Sequence, residues 1–181
     1  MLNKLKKIKP KHILEMLVIL ISFIPGMILR LIKRDIWIVA ENGDDAKDNG
    51  YAFFKYAMEN KSKKDIYYVI TKKSIYYDKL KKYNKNLLYK NSLKHNIYTI
   101  ASTKYISSQI GSGLPFPELV FNFQGTFIYR FKSIFLQHGI TQNKVQCLLK
   151  NESKVDLFCC AGNKEYDFVI NELGYNEENA K

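Results

Sequence analysis

The sequence predicts an α/β protein: a parallel, doubly wound, Rossmann-like sheet preceded by an apolar, membrane-anchoring helical segment. Three observations lead there. Short apolar runs of strand length start near residues 36, 66, 87, 105, 134 and 156. Each is followed by a helix-patterned stretch or a loop, the alternation that generates parallel sheets. Ahead of the first run, Ile13 to Ile32 is apolar on every side, unlike the single stripe of an ordinary surface helix. The chain thus divides into a basic arm with its apolar segment over 1–34 and a sheet domain over 35–181.

The apolar segment has a charge-free part, Met16 to Leu29, of 14 residues that contains Pro25-Gly26. A spanning helix needs about 20 apolar residues, so a monotopic or re-entrant anchor on the inner leaflet is expected ahead of a true span or a buried core helix. The Pro25-Gly26 break would permit a kinked, partly inserted helix pair. No small-residue cleavage site follows, which disfavours a signal peptide. Basic residues on both flanks leave the orientation open.

Charge follows the same division. Of the net +12, residues 1–34 carry eight Lys/Arg against one Glu, residues 35–151 eighteen against nine acids, and residues 152–181 three against seven. A basic protein binds nucleic acid, anionic lipid or a polyanionic substrate. No nucleic-acid-binding motif is present and the cations flank an apolar run, so anionic membrane lipid and polyphosphate are favoured and nucleic acid is not a predicted partner. The three cysteines, Cys147, Cys159 and Cys160, are odd in number and lack metal-ligand spacing. Cys159 and Cys160 sit in an apolar run and are expected as buried free thiols of a reducing cytosol.

The elements then follow in order. Ile36 to Ala40 is the first strand. Its loop, Glu41 to Lys47, places Glu41, Asp44, Asp45 and Asp48 together, a cluster suited to hydroxyls or a cation. Asp48 is an N-cap, with Tyr51, Phe54, Ala57 and Met58 at helical spacing behind it. Ile66 to Ile70 is the second strand, and a Lys/Tyr-rich helix over Ser74 to Tyr83 presents a solvated face. Leu87 to Tyr89 is a short strand, and Ser92 caps a helix carrying Leu93, Ile97 and Ile100, with His95 expected at its surface. Tyr105 to Ser108 is the next strand. Gly111 to Gly125 reads as a long loop with Leu114, Phe116 and Phe121 free to meet a membrane or cover a site. Ile134 to Leu136 precedes Gln137-His138-Gly139, and Thr141 caps a helix over Gln142 to Lys150. A last strand, Val155 to Ala161, and a helix, Lys164 to Leu173, complete the sheet.

His138 thus stands where a strand ends, the edge at which open α/β sheets bind ligands. Gly139 lets the chain turn tightly, and the N-terminus of the Gln142 helix would favour a phosphate. On chemistry alone His138 is open to two readings, a solvated or hydrogen-bonded structural residue and a ligand-facing one. No Gly-x-Gly-x-x-Gly, Walker loop or zinc motif occurs, so no cofactor and no metal are predicted.

Phe135-Leu136-Gln137-His138-Gly139-Ile140-Thr141 resembles the His-Gly motif of the CDP-glycerol glycerophosphotransferases, the teichoic acid primases and polymerases. Trp37 to Tyr56 resembles the start of their catalytic region through Glu41, Asp44, Ala46, Asp48-Asn49-Gly50 and Lys55-Tyr56. Ser92-Leu93-Lys94-His95 is similar as well. The resemblance covers most of residues 37–173. It implies the GT-B-like plan of two facing Rossmann-like domains, of which the N-terminal one faces the acceptor and the C-terminal one binds CDP. The chain ends before such a second domain, so it is expected to be the acceptor half, truncated or split, and inactive alone.

The implied reaction transfers glycerol phosphate from CDP-glycerol to a lipid-linked polyol-phosphate acceptor of teichoic-acid or capsule type at the cytoplasmic face of the cell membrane. His138 is the implied catalytic residue, and Glu41, Asp48, Gln137, Gly139 and Thr141 are the implied substrate-binding residues. Two other readings stay open: a glycosyltransferase of the same plan with another nucleotide-activated donor, and a non-catalytic, membrane-attached polyanion-binding module.

Overall fold

The structure is a computed structural model and describes residues 10–181; the arm's Lys4, Lys6, Lys7 and Lys9 lie outside the described residues. Six strands form one all-parallel sheet: β1 (Ile36–Ala40), β2 (Asp65–Ile70), β3 (Leu87–Tyr89), β4 (Lys104–Ser107), β5 (Lys132–Phe135) and β6 (Leu157–Phe158). Their order is β3-β2-β1-β4-β5-β6, so the winding runs outward from β1 to β3 on one side and from β4 to β6 on the other, with the switch point between β1 and β4. The predicted doubly wound sheet is therefore present. The register sets Ala40 beside Ser107 and Ser107 beside Phe135, so the carboxyl ends of β1, β4 and β5 form one edge.

Period-two alternation sorts the strand residues between two cores. Ile36, Ile38, Tyr67, Val69 and Tyr105 enter one cluster, covered by α4 (Leu93–Ala101). Val39, Ile66, Tyr68, Ile70 and Ile106 enter the other, covered by α2 (Asn49–Glu59) through Phe54 and Ala57. A third cluster joins β5 and β6 to α7 (Asn163–Leu173) through Phe135, Phe158, Val169 and Leu173. Strands buried on both faces read as continuous apolar runs, which is why they were legible. The two caps are as expected: Asp48 Oδ1 accepts the Asn49 N–H at 2.8 Å and Ser92 Oγ the His95 N–H at 3.1 Å.

Several expectations are corrected. The apolar segment is one continuous helix, α1 (Pro10–Ile32), with Pro25 inside it and no kinked pair. Packing on α4 overrides the proline: a Cβ on Gly26 would lie 2.6 Å from Ile100 Cγ2, so the two helices are in backbone-close contact there. Arg30, among the basic residues that close this segment, is buried, donating to the carbonyls of Ile100, Phe127 (3.2 Å) and Ile128 (2.9 Å). The Lys/Tyr helix shrinks to α3 (Tyr77–Leu80) followed by a 3₁₀ turn over Lys81–Asn86. The long loop contains α5 (Pro117–Phe123), begun by Pro117 at the position where a missing N–H costs nothing. Leu114 is buried in the first core and meets no membrane. The last strand is only Leu157–Phe158, and Cys159 and Cys160 are half-buried. His95 is fully buried instead of lying at the surface.

Candidate active site at the carboxyl edge of the sheet

The site begins with Asp48. Its Oδ1 caps α2, and its Oδ2 meets His138 Nδ1. Two stretches 90 residues apart in sequence are thus joined by one carboxylate. Asn49 adds a second tie, its Nδ2 donating to the carbonyls of Leu136 (3.3 Å) and Gln137 (2.9 Å). With a carboxylate against Nδ1, that nitrogen is the one that carries a proton toward Asp48. The His138 side chain is 63% exposed and that of Asp48 only 17%. A held, oriented imidazole with an open face is the arrangement a general base requires.

Glu41 works behind this pair. It is fully buried, and its carboxylate accepts the N–H groups of Lys47 (3.2 Å), Asp48 (2.8 Å) and Tyr51 (3.0 Å). It therefore shapes the loop that presents Asp48. The remaining acids serve the same loop: Asp45 accepts from Asn42 Nδ2 at 2.9 Å and Asp44 from Thr71 Oγ1 at 2.5 Å. Among the described residues no three His, Cys, Asp or Glu side chains converge as a metal site.

Gln137 holds the other side. It is buried in a left-handed conformation with φ of 62°, a geometry that costs a non-glycine residue of order 1–3 kcal/mol. Its amide meets that cost with contacts at both ends. Oε1 accepts the His138 N–H at 2.7 Å, while Nε2 donates to Thr141 Oγ1 and Glu165 Oε1. Gly139 follows at φ of 94° with open space where a Cβ would be, so its role is the turn and not a close approach.

Thr141 is not an N-cap. Its N–H donates to Glu165 Oε1 at 2.7 Å and its hydroxyl accepts from Gln137. The expected helix from Gln142 is replaced by an irregular stretch, a 3₁₀ turn (Gln146–Leu148) and the short α6 (Lys150–Ser153). No helix N-terminus therefore faces the site from residue 142.

Glu165 was not singled out in the sequence. Buried at the start of α7, it accepts from Gln137, Thr141 and, through Oε2, the Ala161 N–H at 2.7 Å. Its spacing of three residues from Gly162 is not a capping box, since glycine has no side chain to complete one, so the sequence carried no clear signal for it. Asn49 carried none beyond following an N-cap.

Beside the pair opens a cavity of about 390 Å³ lined by Asn49, Phe53, Gln137, Gly139, Ile140 and Cys160, among others. Burial, with Glu165 and Cys159 beside it, pushes the Cys160 thiol up to about 11. The thiol is thus held protonated at neutral pH and is no nucleophile.

No protein-family profile matches the chain, and no solved structure matches it. Over 151 residues it is 32% identical to the minor teichoic acid biosynthesis protein GgaB of Bacillus subtilis (strain 168). The alignment takes in 81% of this chain but 16% of that relative, so the chain corresponds to a small part of GgaB's length. The similarity agrees with the teichoic-acid resemblance of the sequence, for the small part of GgaB that the chain matches.

Proposed function

We propose that this chain supplies the acceptor-side domain of a glycerophosphotransferase. In this reading glycerol phosphate passes from CDP-glycerol to a terminal hydroxyl of a lipid-linked teichoic-acid or capsule-like polymer. The observation that carries it is the contact between Asp48 Oδ2 and His138 Nδ1 at the carboxyl edge, beside an open cavity. His138 Nε2 takes the proton of the acceptor hydroxyl, whose oxygen attacks the phosphorus bearing glycerol. The bond from that phosphorus to the bridging oxygen breaks, and CMP leaves. Asp48 stabilises the imidazolium that forms. Gln137, Gly139 and Thr141 set the loop against which the acceptor lies, and Glu41 positions Asp48. The CDP group is held by a second domain facing this edge.

The same reading puts the protein at the cytoplasmic face of the membrane, with α1 as a monotopic anchor. α1 is long and apolar enough to cross a bilayer, yet Ile19, Ser22, Gly26 and Arg30 bind it lengthwise to the domain. A helix so docked cannot be surrounded by hydrocarbon, whereas its other face is free to lie in the interface.

The test is a chimera in which the aligned segment of GgaB is replaced by this chain's residues and CMP release from CDP-glycerol is followed with a lipid-linked acceptor. Turnover that depends on His138 supports the reading. Turnover unchanged by His138→Ala, or obtained only with a sugar nucleotide, overturns it.

A further inference from the structure

A second cavity, of about 670 Å³, lies beside the first core, on the sheet face opposite α2. One wall is α1, through Ile13, Leu17, Leu20 and Phe23; the other is the end of α5 and the turn before β5, through Phe123 and Phe127. Every side chain lining it is apolar. Phe23 and Phe127 meet edge to face at 5.8 Å, while Leu20 and Phe127 are each 69% exposed. The groove continues directly into the outer stripe of α1, where Ile21, Ile24, Ile28 and Leu31 are exposed.

We propose that this groove is a hydrocarbon-chain site, occupied by an acyl chain of an anionic bilayer lipid. Charge and shape both point to that occupant. By sequence the segment 1–34 carries eight Lys/Arg against one Glu. Arg30 is buried and Lys11 and Lys33 pair with Glu118 and Asp65, so the remaining excess of positive charge complements anionic headgroups while the exposed, strongly apolar stripe of α1 faces their hydrocarbon. The helix is held alongside the domain, so its outer stripe lies flat on hydrocarbon, and the groove opens on that same side. A chain drawn from the leaflet covers both walls without exposing a polar group, because the lining offers none. The inference rests on the membrane attachment proposed above and adds to it a defined lipid site.

The experiment uses the 181-residue chain with vesicles of equal phosphatidylglycerol and phosphatidylcholine, containing a trace of phosphatidylglycerol with a photoactivatable diazirine on its acyl chain. Flotation reports attachment, and peptide mass spectrometry maps the adducts. Adducts on Phe123 or Phe127 together with Leu17 or Leu20 are expected. Leu17→Lys and, separately, Phe127→Lys should each reduce the adducts on the opposite wall about tenfold or more, since a cation facing hydrocarbon is strongly disfavoured. Both positions are exposed enough to accept lysine in the folded protein, and a thermal melt checks each variant. Flotation with adducts confined to Ile24, Ile28 and Leu31 overturns the groove while leaving attachment intact. Absence of flotation overturns both. Cross-linking of groove residues between two copies in the absence of lipid overturns the lipid as occupant.

Discussion

Asp48 divides its two carboxylate oxygens between the Asn49 N–H and the imidazole of His138. One residue thereby starts α2 and fixes the tautomer of the candidate base. The cap alone is worth about 1 kcal/mol, so removing the whole side chain confounds stability with chemistry. The informative pair is His138→Ala and Asp48→Asn.

In the GgaB chimera, His138→Ala should lower turnover by roughly 10²–10⁴-fold, the usual contribution of a positioned base. Asp48→Asn keeps a capping oxygen but removes the charge facing the imidazolium, and should lower turnover by less than His138→Ala. Melting temperature should change little in either variant, since the imidazole is exposed. A clear fall in melting temperature with intact turnover would make His138 a structural residue.

Glu165→Gln addresses the support of the same loop. The carboxylate accepts from Gln137, Thr141 and Ala161, and an amide nitrogen in its place faces N–H groups that need an acceptor. A buried donor left without a partner costs about 1–3 kcal/mol. Lower thermal stability is expected, together with faster amide exchange at His138 and Thr141 than at β1. Unchanged exchange at those two amides would show that Glu165 does not hold the loop.

What the sequence made legible follows from where the information sits. The β1, β2 and β4 strands are buried on both faces, so their apolar runs identify them without any tertiary knowledge. Asp48 and Ser92 act on their immediate neighbours, and both caps could be read from spacing alone. The helix expected from Gln142 failed for a non-local reason: Glu165, 24 residues on, takes the Thr141 N–H, and Gln137 takes its hydroxyl. The same holds for Arg30, whose partners at Phe127 and Ile128 lie 97 and 98 residues away. The His138–Asp48 pair was legible as two separate motifs, but the contact between them depends on the sheet bringing β1 and β5 to one edge.

His95 gives the fold a pH dependence. It is fully buried, its Nδ1 accepts the Asn91 N–H at 3.2 Å, and its Nε2 has no hydrogen-bond partner among the described residues. Burial, with the Lys90 cation nearby, lowers it from 6.5 to about 3. The unfolded chain therefore binds a proton here that the folded chain refuses. Stability from this group is complete above about pH 6.5 and declines as pH falls toward about 3. His95→Gln should flatten the loss of stability between pH 7 and pH 5 in urea unfolding. An identical slope in both proteins would remove His95 as its source.

The last prediction separates the two faces of α1. A boundary at residue 34 suggests that residues 35–181 should stand alone as a soluble domain, but the inner face of α1 argues otherwise. Gly26 lies against Ile100, Leu29 packs on the first core, and Arg30 satisfies carbonyls of α4 and of the turn before β5. Without α1 those carbonyls and the outer side of α4 are exposed, and residues 35–181 should lose cooperative thermal unfolding. Arg30→Ala in the full chain should lower stability, because each buried acceptor left unpaired costs about 1–3 kcal/mol. The outer face should behave in the opposite way. Ile24→Lys with Ile28→Lys alters exposed positions only, so melting should be preserved while flotation with anionic vesicles is lost. Release of the unmodified chain by high salt alone would show that attachment is electrostatic and that the apolar stripe does not insert.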